Sequence, residues 1–223
     1  MRKLLSNIVQ RLYDMKTLIV AATTFEIQPY IDRIDHYPHT HYLISQVGMI
    51  QTAYQLGKHL AHNKYDLLIN IGIGGCFNRS LPIGAVVSVD RELFSELGAE
   101  NDEQFISIDE LGFGTAHYPA LQNSATRQLV HNLPSGLGIT VNKVHGNTSE
   151  IVKLLNQVPD AFIESMEGAA VFLAATETQT QTIQIRGISN YVEKRNRATW
   201  NIPLAIQNSN AVLFQILSEI YRV

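Results

Sequence analysis

The stretch Ser165–Val171, SMEGAAV, joins a short apolar segment to a run of small and apolar residues. Residues 161–163 before it are typical of a buried strand, and residues 168–175 are typical of a helix pressed against a sheet. Glu167 is therefore predicted to lie at a strand-to-helix junction, at or near a helix N-terminus, where the helix dipole favours a carboxylate. Such positions are often only structural, so Glu167 by itself does not predict a site.

The composition is that of an ordinary globular protein. The 223 residues, 45% hydrophobic and 17% charged, suit one α/β domain or two small ones. A net charge of -3 without a basic run argues against nucleic acid as a partner, and no apolar stretch is long enough to span a membrane. The single cysteine, Cys76, allows no internal disulfide and indicates a reducing compartment, so we expect a cytoplasmic protein. The histidines and the cysteine lack metal-ligand spacing, and we expect no metal and no cofactor.

The first 14 residues differ from the rest of the chain. Polar residues interrupt the apolar run that a signal peptide would need. Residues 15–20, MKTLIV, by contrast look like a natural chain start that leads straight into a strand. We therefore expect one domain over residues 15–223, with residues 1–14 either an N-terminal extension or a product of start-codon choice.

Apolar runs alternate with amphipathic segments along this domain. Strands are predicted at residues 17–22, 42–47, 67–71, 85–89, 139–144, 161–163 and 182–188. Helices are predicted after Thr23 or Thr24 and at residues 49–62, 124–132, 148–156, 168–175 and 202–221. Residues 91–120 lack regular signals and are predicted to form an ordered loop that carries function. The alternation predicts an α/β fold, a three-layer sandwich around a largely parallel mixed central sheet.

Four polar or glycine-rich features follow predicted strands. They are Glu26, the glycine-rich segment Gly72–Gly75, Glu167 and Asn190. Each has an ordinary structural explanation as a helix-start acid, a cap or a turn residue. Ligands of open α/β sheets, however, bind at the carboxyl ends of strands. The coincidence of all four features therefore predicts a site there.

The glycine-rich segment also raises the possibility of a dinucleotide-binding turn. The fingerprint G-x-G-x-x-G needs a glycine at position 77, where this chain has Phe77. The segment also follows the third predicted strand instead of the first. We therefore consider a dinucleotide-dependent oxidoreductase a disfavoured alternative. Three glycines in four residues still predict a tight bend or a close approach of another group to the backbone.

Together, these stretches resemble the nucleoside phosphorylase and nucleosidase superfamily, on its 5′-methylthioadenosine/S-adenosylhomocysteine nucleosidase branch. Asn70–Gly75, NIGIGG, is similar to the family's N-T-G-x-A-G-G, and residues 165–170 are similar to x-E-M-E-x-x-A. Arg186–Asn190, RGISN, matches R-A-I-S-D with asparagine in place of aspartate. The resemblance extends over about residues 15–221 and implies a nucleoside phosphorylase-like fold.

Within that branch, further motifs resemble the futalosine hydrolase family. They are D-x-x-x-x-x-L-G-A-E, L-G-F-G, S-M-E-G-A-A and I-S-N-x-V with a following tryptophan. In this chain they correspond to Asp90 with residues 97–100, residues 111–114, residues 165–170, residues 188–192 and Trp200. This resemblance implies hydrolysis of the N-glycosidic bond of a purine nucleoside, with water and a small nucleoside as the reactants.

The resemblance also assigns roles to individual residues. Glu26 would position and deprotonate the water, and Glu167 would accept hydrogen bonds from the ribose 2′- and 3′-hydroxyls. Asn190 would contact N7 and the 6-substituent of the base. The remaining substrate-binding positions that the resemblance implies are Ile73, Gly74, Met166 and Val144. Ile73 stands where the nucleosidases often have serine, and residues 143–146 match the family's base-binding loop poorly.

Two features favour one reaction over its alternatives. Residues 21–26, AATTFE, contain no glycine and end in a carboxylate that would repel phosphate, which favours a hydrolase over a phosphorylase. An asparagine amide at position 190 complements a 6-oxo purine protonated at N7, because its carbonyl accepts from N7–H and its NH₂ donates to O6. The chain is therefore predicted to release hypoxanthine from futalosine in menaquinone biosynthesis.

Other functions stay open from the sequence. They are a methylthioadenosine/S-adenosylhomocysteine or aminodeoxyfutalosine nucleosidase, a purine nucleoside phosphorylase, and a member that binds nucleosides without catalysis. Members of the family are homo-oligomers, so the resemblance also implies a homodimer or a larger assembly.

Overall fold

The structure is a computed structural model that describes residues 15–221. The expected N-terminal extension, residues 1–14, lies outside the described residues, as do residues 222–223. The described strands are β1 (Thr17–Ala21), β2 (Thr40–Ile44), β3 (Leu67–Cys76), β4 (Val86–Phe94), β5 (Gly98–Asn101), β6 (Gln104–Ser107), β7 (His117–Pro119), β8 (Ser135–Thr140), β9 (Ala161–Ser165) and β10 (Gln181–Tyr191). The described α-helices are α1 (Thr24–Ile31), α2 (Met49–Leu60), α3 (Ser124–Gln128), α4 (Thr148–Gln157), α5 (Gly168–Thr178) and α6 (Ile202–Tyr221).

Strand β1 is covered on both faces, which explains its uninterrupted apolar sequence. Leu18 and Val20 pack towards α2 and α5, whereas Ile19 and Ala21 pack towards α1 and α6. A strand buried on both faces cannot alternate apolar with polar residues. Around β1 and β3 the molecule therefore has helices on both faces of the sheet, as the sequence predicts. None of the helices within residues 15–221 has the length and hydropathy needed to cross a membrane.

The sheet is mixed and partly closed, which corrects the expectation of a largely parallel sheet. The strand order is β10-β4-β8-β9-β3-β1-β2, and β10 also pairs with β3, so that five strands form a ring. Strand β10 pairs antiparallel with β4, and β9 pairs antiparallel with β3, whereas β1, β2, β3 and β10 are parallel neighbours. Register shifts at Ile188/Asn190, Val89/Arg91 and Leu137/Gly138 lie in the ring strands. Such bulges bend a strand and help a sheet to close.

The glycine-rich segment is part of a strand, so the prediction of a turn at Gly72–Gly75 is wrong. Strand β3 continues through these residues to Cys76, paired with β10 on one side and with the end of β9 on the other. The glycines are needed because neighbouring groups approach the strand closely. A methyl group at Gly74 would lie 2.8 Å from Ile163 Cγ1. A dinucleotide-binding turn needs a loop that opens a helix, and this segment is not one.

Two further segments differ from the predictions, and the closing helix agrees with them. The region 91–120 holds the end of β4, the hairpin β5–β6 and strand β7 in place of a single loop. Strand β10 extends beyond Ile188 and includes Asn190, which the sequence places after the strand. The closing helix α6 has the predicted bounds, because its apolar residues recur at helical spacing over five turns.

Candidate active site

Glu26 lies in the first turn of α1, where a capping box holds it. Thr23 is the N-cap, and its backbone N–H and hydroxyl donate to Glu26 Oε2 at 2.9 and 3.0 Å. The Glu26 N–H returns a bond to the Thr23 hydroxyl at 3.4 Å. Asn210 of α6 donates to the Glu26 carbonyl at 2.7 Å, which ties this turn to the closing helix. One carboxylate oxygen is thus used for capping.

The other oxygen, Glu26 Oε1, faces β3 and a buried arginine. A methyl group at Gly72 would lie 2.8 Å from Glu26 Oε1 and 3.1 Å from Nη1 of Arg186, so both groups approach the same point above the glycine. Arg186 is buried, and its Nη2 donates to Asn70 Oδ1. Asn70 in turn donates to the Val20 carbonyl at 3.1 Å. Asn70 therefore holds the guanidinium in place beside the Glu26 carboxylate.

This surrounding raises the pKa of Glu26. Burial is the largest cause, and the negative charge of Glu167 adds to it. The Arg186 charge and the two Thr23 hydrogen bonds act in the opposite direction. A carboxylate with a raised pKa is a stronger base than an exposed one, which suits it to take a proton from water.

Glu167 is the N-cap of α5, as the sequence predicts, but its side chain serves another helix. It makes no hydrogen bond in its own cap. Its Oε1 instead accepts from the N–H of Gly48, the N-cap of α2, at 3.0 Å. Gly48 has a φ of 98°, a conformation that favours glycine. The carboxylate thus lies near the N-termini of α2 and α5, where both helix dipoles favour its negative charge.

Asn190 lies directly after a bulge in β10, opposite Gly75 of β3. A methyl group at Gly75 would lie 3.2 Å from Asn190 Nδ2, so the absent side chain leaves room for the amide. Asn190 Oδ1 accepts from the Ser189 hydroxyl at 2.8 Å, and Nδ2 donates to the Tyr191 carbonyl at 2.9 Å. These bonds fix the orientation of the amide. Each end keeps the capacity for one further hydrogen bond, the oxygen as acceptor and the nitrogen as donor.

The remaining predicted positions lie on the same elements or next to them. Met166 is half-buried in the junction between β9 and α5, directly before Glu167. Ile73 is half-buried in β3 between the glycines that border Glu26 and β9. Gly74 lies against β9. Val144 is exposed, in the segment that joins β8 to α4.

A histidine–carboxylate pair next to this segment is missing from the sequence predictions. Glu164, the penultimate residue of β9, is buried and accepts from the His145 backbone N–H at 2.9 Å, while its other oxygen contacts His145 Nδ1. The hydrogen bond to Glu164 raises the pKa of His145, against the effect of burial. Glu164 pairs with Gly75, which in turn pairs with Asn190, so the His145–Glu164 pair lies one strand away from Asn190.

Two more residues of the site carry weaker sequence signals. Arg186 interrupts the apolar run of β10, and a charge inside such a run is a recognisable sign of a buried functional group. Gly48 acts through its backbone N–H alone, which no side-chain pattern can indicate. Within residues 15–221, no group of three or more His, Cys, Asp or Glu side chains is placed to hold a metal ion.

Comparison with known proteins gives the family. Residues 37–220 match the phosphorylase superfamily. A futalosine hydrolase from Streptomyces coelicolor is 35% identical over 144 residues, 64% of this chain and 61% of that protein. The match thus spans less than two thirds of that relative's length. A futalosine hydrolase from Acidothermus cellulolyticus is 32% identical over 171 residues, 74% of this chain and 70% of that protein.

A solved structure supports the fold. The 5′-methylthioadenosine/S-adenosylhomocysteine nucleosidase of Neisseria meningitidis, in complex with methylthio-immucillin-A, superposes with a TM-score of 0.77 at 14% identity. The superposition covers 92% of this chain and 100% of the other. The expected nucleoside phosphorylase-like α/β fold is therefore confirmed. Because the superfamily match covers most of the chain, the chain belongs to the phosphorylase superfamily and is related, within it, to the futalosine hydrolases.

Proposed function

We propose that this chain hydrolyses the N-glycosidic bond of a purine nucleoside, with futalosine as the preferred substrate and hypoxanthine as the leaving base. The observation that carries the proposal is the arrangement of Glu26, Arg186 and Glu167 around Gly72 and Gly48. The relatives from S. coelicolor and A. cellulolyticus, both named futalosine hydrolases, support the choice of substrate. A place in menaquinone biosynthesis follows from that substrate.

The reaction begins with water held by Glu26. Glu26 Oε1 accepts a proton from the water as the water oxygen attacks the anomeric carbon of the ribose. The guanidinium of Arg186 lies beside the Glu26 carboxylate during this step. The bond from the anomeric carbon to the purine nitrogen breaks, its electron pair leaves with the base, and the base takes up a proton from solvent at N7, while Glu26 later returns its own proton to solvent. Because the transition state resembles an oxocarbenium ion, the sugar becomes positive as the base becomes negative.

Glu167 binds the ribose in this mechanism. Its Oε1 is held by the Gly48 N–H, and the carboxylate can still accept from the 2′- and 3′-hydroxyls. A negative charge beside the ribose also stabilises the developing oxocarbenium ion. Met166 and Ile73, both half-buried beside the carboxylates, would pack against the nucleoside, and Gly74 and Val144 complete the substrate-binding positions that we propose.

Asn190 selects the leaving base. A 6-oxo purine protonated at N7 presents a donor at N7 and an acceptor at O6. The free capacity of the Asn190 amide is the complement, an acceptor at Oδ1 and a donor at Nδ2. A 6-amino purine would place its NH₂ against Nδ2. Such a mismatch costs roughly 1–3 kcal/mol, because a buried polar group loses its partner.

The proposed activity is tested by incubating the protein with futalosine, inosine and methylthioadenosine in phosphate-free buffer and measuring free base. We expect hypoxanthine from futalosine as the main product. Strict dependence on added phosphate would instead identify a phosphorylase. Absence of any free base would identify a protein that binds nucleosides without cleaving them.

A substitution at position 190 tests the choice of base. Asn190→Asp should raise the ratio of kcat/KM for aminodeoxyfutalosine over futalosine by roughly ten- to a hundredfold, because an aspartate can accept from the 6-amino group. The Ser189 hydroxyl can donate to either side chain, so the local hydrogen bond is kept. Equal loss with both substrates would contradict the role of Asn190.

We also propose a homodimer or larger homo-oligomer of a cytoplasmic protein, with residues 15–223 as one catalytic domain. Val47, Ile50 and Tyr54 are 53%, 72% and 64% exposed and flank Gly48, whose N–H binds Glu167. An apolar patch beside a site is typical of an interface. Light scattering of the wild type and of Ile50→Glu should show a dimer that the charge weakens, and a monomeric wild type would contradict this proposal. The buried thiol of Cys76 is compatible with the cytoplasm.

A further inference from the structure

A fully buried carboxyl group lies beneath the start of α5 and takes no part in the mechanism above. Glu92 of β4 has an exposed fraction of 0%. Its Oε2 accepts from the Thr140 hydroxyl of β8 at 2.8 Å, and its Oε1 contacts the Gln184 amide of β10 at 2.5 Å. Three strands of the ring thus contribute to one buried polar cluster.

The chain leaves room for this carboxyl group from two sides. A methyl group at Gly138 of β8, or at Gly168 at the start of α5, would overlap Glu92 Oε1. Burying a carboxyl group is costly unless its hydrogen bonds are made. Two glycines and two hydrogen-bond partners around one acid indicate that the fold retains the group for a purpose beyond packing.

The cluster connects to α5 through Thr140. The Thr140 hydroxyl has one hydrogen, which it donates to Glu92 Oε2, and its oxygen accepts from the Ala169 backbone N–H at 2.8 Å. Ala169 is the second residue of α5, whose N-cap, Glu167, makes no side-chain bond to its own helix. Thr140 therefore does what an N-cap side chain does in most helices. Glu167 is left free to bind Gly48 and, by the function proposed above, the ribose.

We propose that Glu92 is a positioning residue, which through Thr140 and the Ala169 N–H fixes the first turn of α5 and thereby orients Glu167 for the ribose hydroxyls. Removal of the acceptor at position 92 frees the Thr140 hydroxyl to rotate, and the Ala169 N–H loses a fixed partner. The ribose contact then weakens, although Glu167 itself is unchanged. The inference rests on the proposed function only for its effect on ribose binding.

The charge state of Glu92 is compatible with this role. The pKa of Glu92 is raised to about 7, mainly by burial, and the charge of Glu167 acts in the same direction. The hydrogen bonds from Gln184 and Thr140 and the charge of Arg186 act to lower it. A neutral acid still offers a carbonyl oxygen to Thr140. Glu92→Gln keeps that oxygen, and the Gln184 amide can turn to accept from the new NH₂. This variant should therefore retain the hydrogen bonds that link residue 92 through Thr140 to the Ala169 N–H, whereas Glu92→Met removes the first of them.

The test uses Thr140→Val and Glu92→Met, with Glu92→Gln as the conservative variant. Thr182→Val is the matched control, a buried strand threonine whose hydroxyl bonds to Thr180 and not to α5. Exchange of the Ala169 amide should be at least about tenfold faster in Thr140→Val and Glu92→Met than in the wild type, and unchanged in Glu92→Gln and Thr182→Val. This measurement needs no activity, so it stands if the proposed function fails.

Kinetics then test the effect on Glu167. KM for the ribonucleoside should rise roughly tenfold in Thr140→Val, with a smaller change in kcat, because one oriented hydrogen-bonding group is lost. The 2′,3′-dideoxy counterpart lacks the hydroxyls, so its KM should not change. Unchanged Ala169 exchange in Thr140→Val, an equal KM effect on both substrates, or Glu92→Gln behaving like Glu92→Met would each overturn the proposal. Wild-type protein that cleaves no nucleoside would instead overturn the proposed function.

Discussion

The starts of α1 and α5 both hold a glutamate, but the two side chains make different hydrogen bonds. Each places a glutamate after a buried strand, at the start of a helix. Glu26 lies inside α1 and caps it through a reciprocal box with Thr23, using one oxygen. Glu167 is itself the N-cap of α5, but its carboxylate accepts no hydrogen bond from that helix and accepts instead from the N–H of Gly48 at the start of α2.

The difference shows how one residue type acquires two chemical roles. The capping bonds and Arg186 lower the pKa of Glu26, yet burial and Glu167 outweigh them, so Glu26 becomes a better base. Glu167 lies near two helix N-termini and serves as a hydrogen-bond acceptor for the Gly48 N–H. Glu26 is therefore a helix-start acid by position, and the proposed function assigns it a second role as the base.

The largest expected effect separates Glu26 from an ordinary helix-start acid. Glu26→Gln should lower kcat by about 10²–10⁴-fold, because the amide cannot take the proton from water. It keeps an oxygen that can accept from Thr23, so the capping box and the fold should survive. The matched control is Glu150→Gln, in the exposed first turn of α4, where Asn147 caps the helix. Comparable losses in both variants, measured as hypoxanthine release, would contradict a catalytic role.

The sequence predicts the carboxylates well and the glycines badly. Helix-start acids and caps are local features, so Thr23, Glu26 and Glu167 can be placed from neighbouring residues alone. Glycine is required at three positions of β3 because side chains from three other elements lie close to the strand there. These side chains are Glu26, Ile163 and Asn190. A long-range requirement of this kind has no local signal, and the pattern alone was compatible with a turn.

The same reason explains the closed sheet and the missed His145–Glu164 pair. Ring closure depends on bulges in β4, β9 and β10, which are set by pairing and not by the residue types at those positions. His145 and Glu164 are separated by 19 residues and meet only because β8 and β9 are neighbours. The fold class and the positions of Glu26 and Glu167 at helix starts could therefore be predicted, whereas the way in which the sheet brings further groups beside them could not.

A smaller effect is expected from a substitution of Gly72, the glycine that both Glu26 and Arg186 approach. In Gly72→Ala, the methyl group would lie 2.8 Å from Glu26 Oε1, closer than such atoms approach, so the carboxylate must move. We expect kcat to fall roughly tenfold to a hundredfold, since small displacements of catalytic groups are costly. Gly57→Ala in α2 is the control, because nothing lies within 4 Å of its methyl group. There we expect full activity and a gain in the free energy of unfolding of about 0.5–1 kcal/mol. Equal activity of the two variants would contradict the close approach at Gly72.

The smallest expected effect tests whether the charge of Glu167 changes the pKa of Glu26. Glu26 must be ionised to accept a proton, so kcat/KM should rise with pH as Glu26 loses its own, with a midpoint above the ordinary value of 4.5. Glu167→Gln removes the second cause of the raised pKa and leaves burial, the first. Its midpoint should therefore move to lower pH but stay above 4.5. An unchanged midpoint would mean that burial alone raises the pKa of Glu26.

Stability gives an independent check with a defined sign. Because folding raises the pKa of Glu26, its protonated form favours the folded state, and that contribution is complete below the unfolded value of 4.5 and is lost as pH rises through the folded value. Glu26→Gln has no such titration. The free energy of unfolding of the wild type should therefore fall relative to that of Glu26→Gln as pH rises through this window, and chemical denaturation at several pH values measures it. In the Glu167→Gln background the window should end at lower pH, because the folded pKa of Glu26 is then less raised. A wild type that gains stability relative to Glu26→Gln with rising pH would show that Arg186 and Thr23, and not burial, dominate the Glu26 carboxylate.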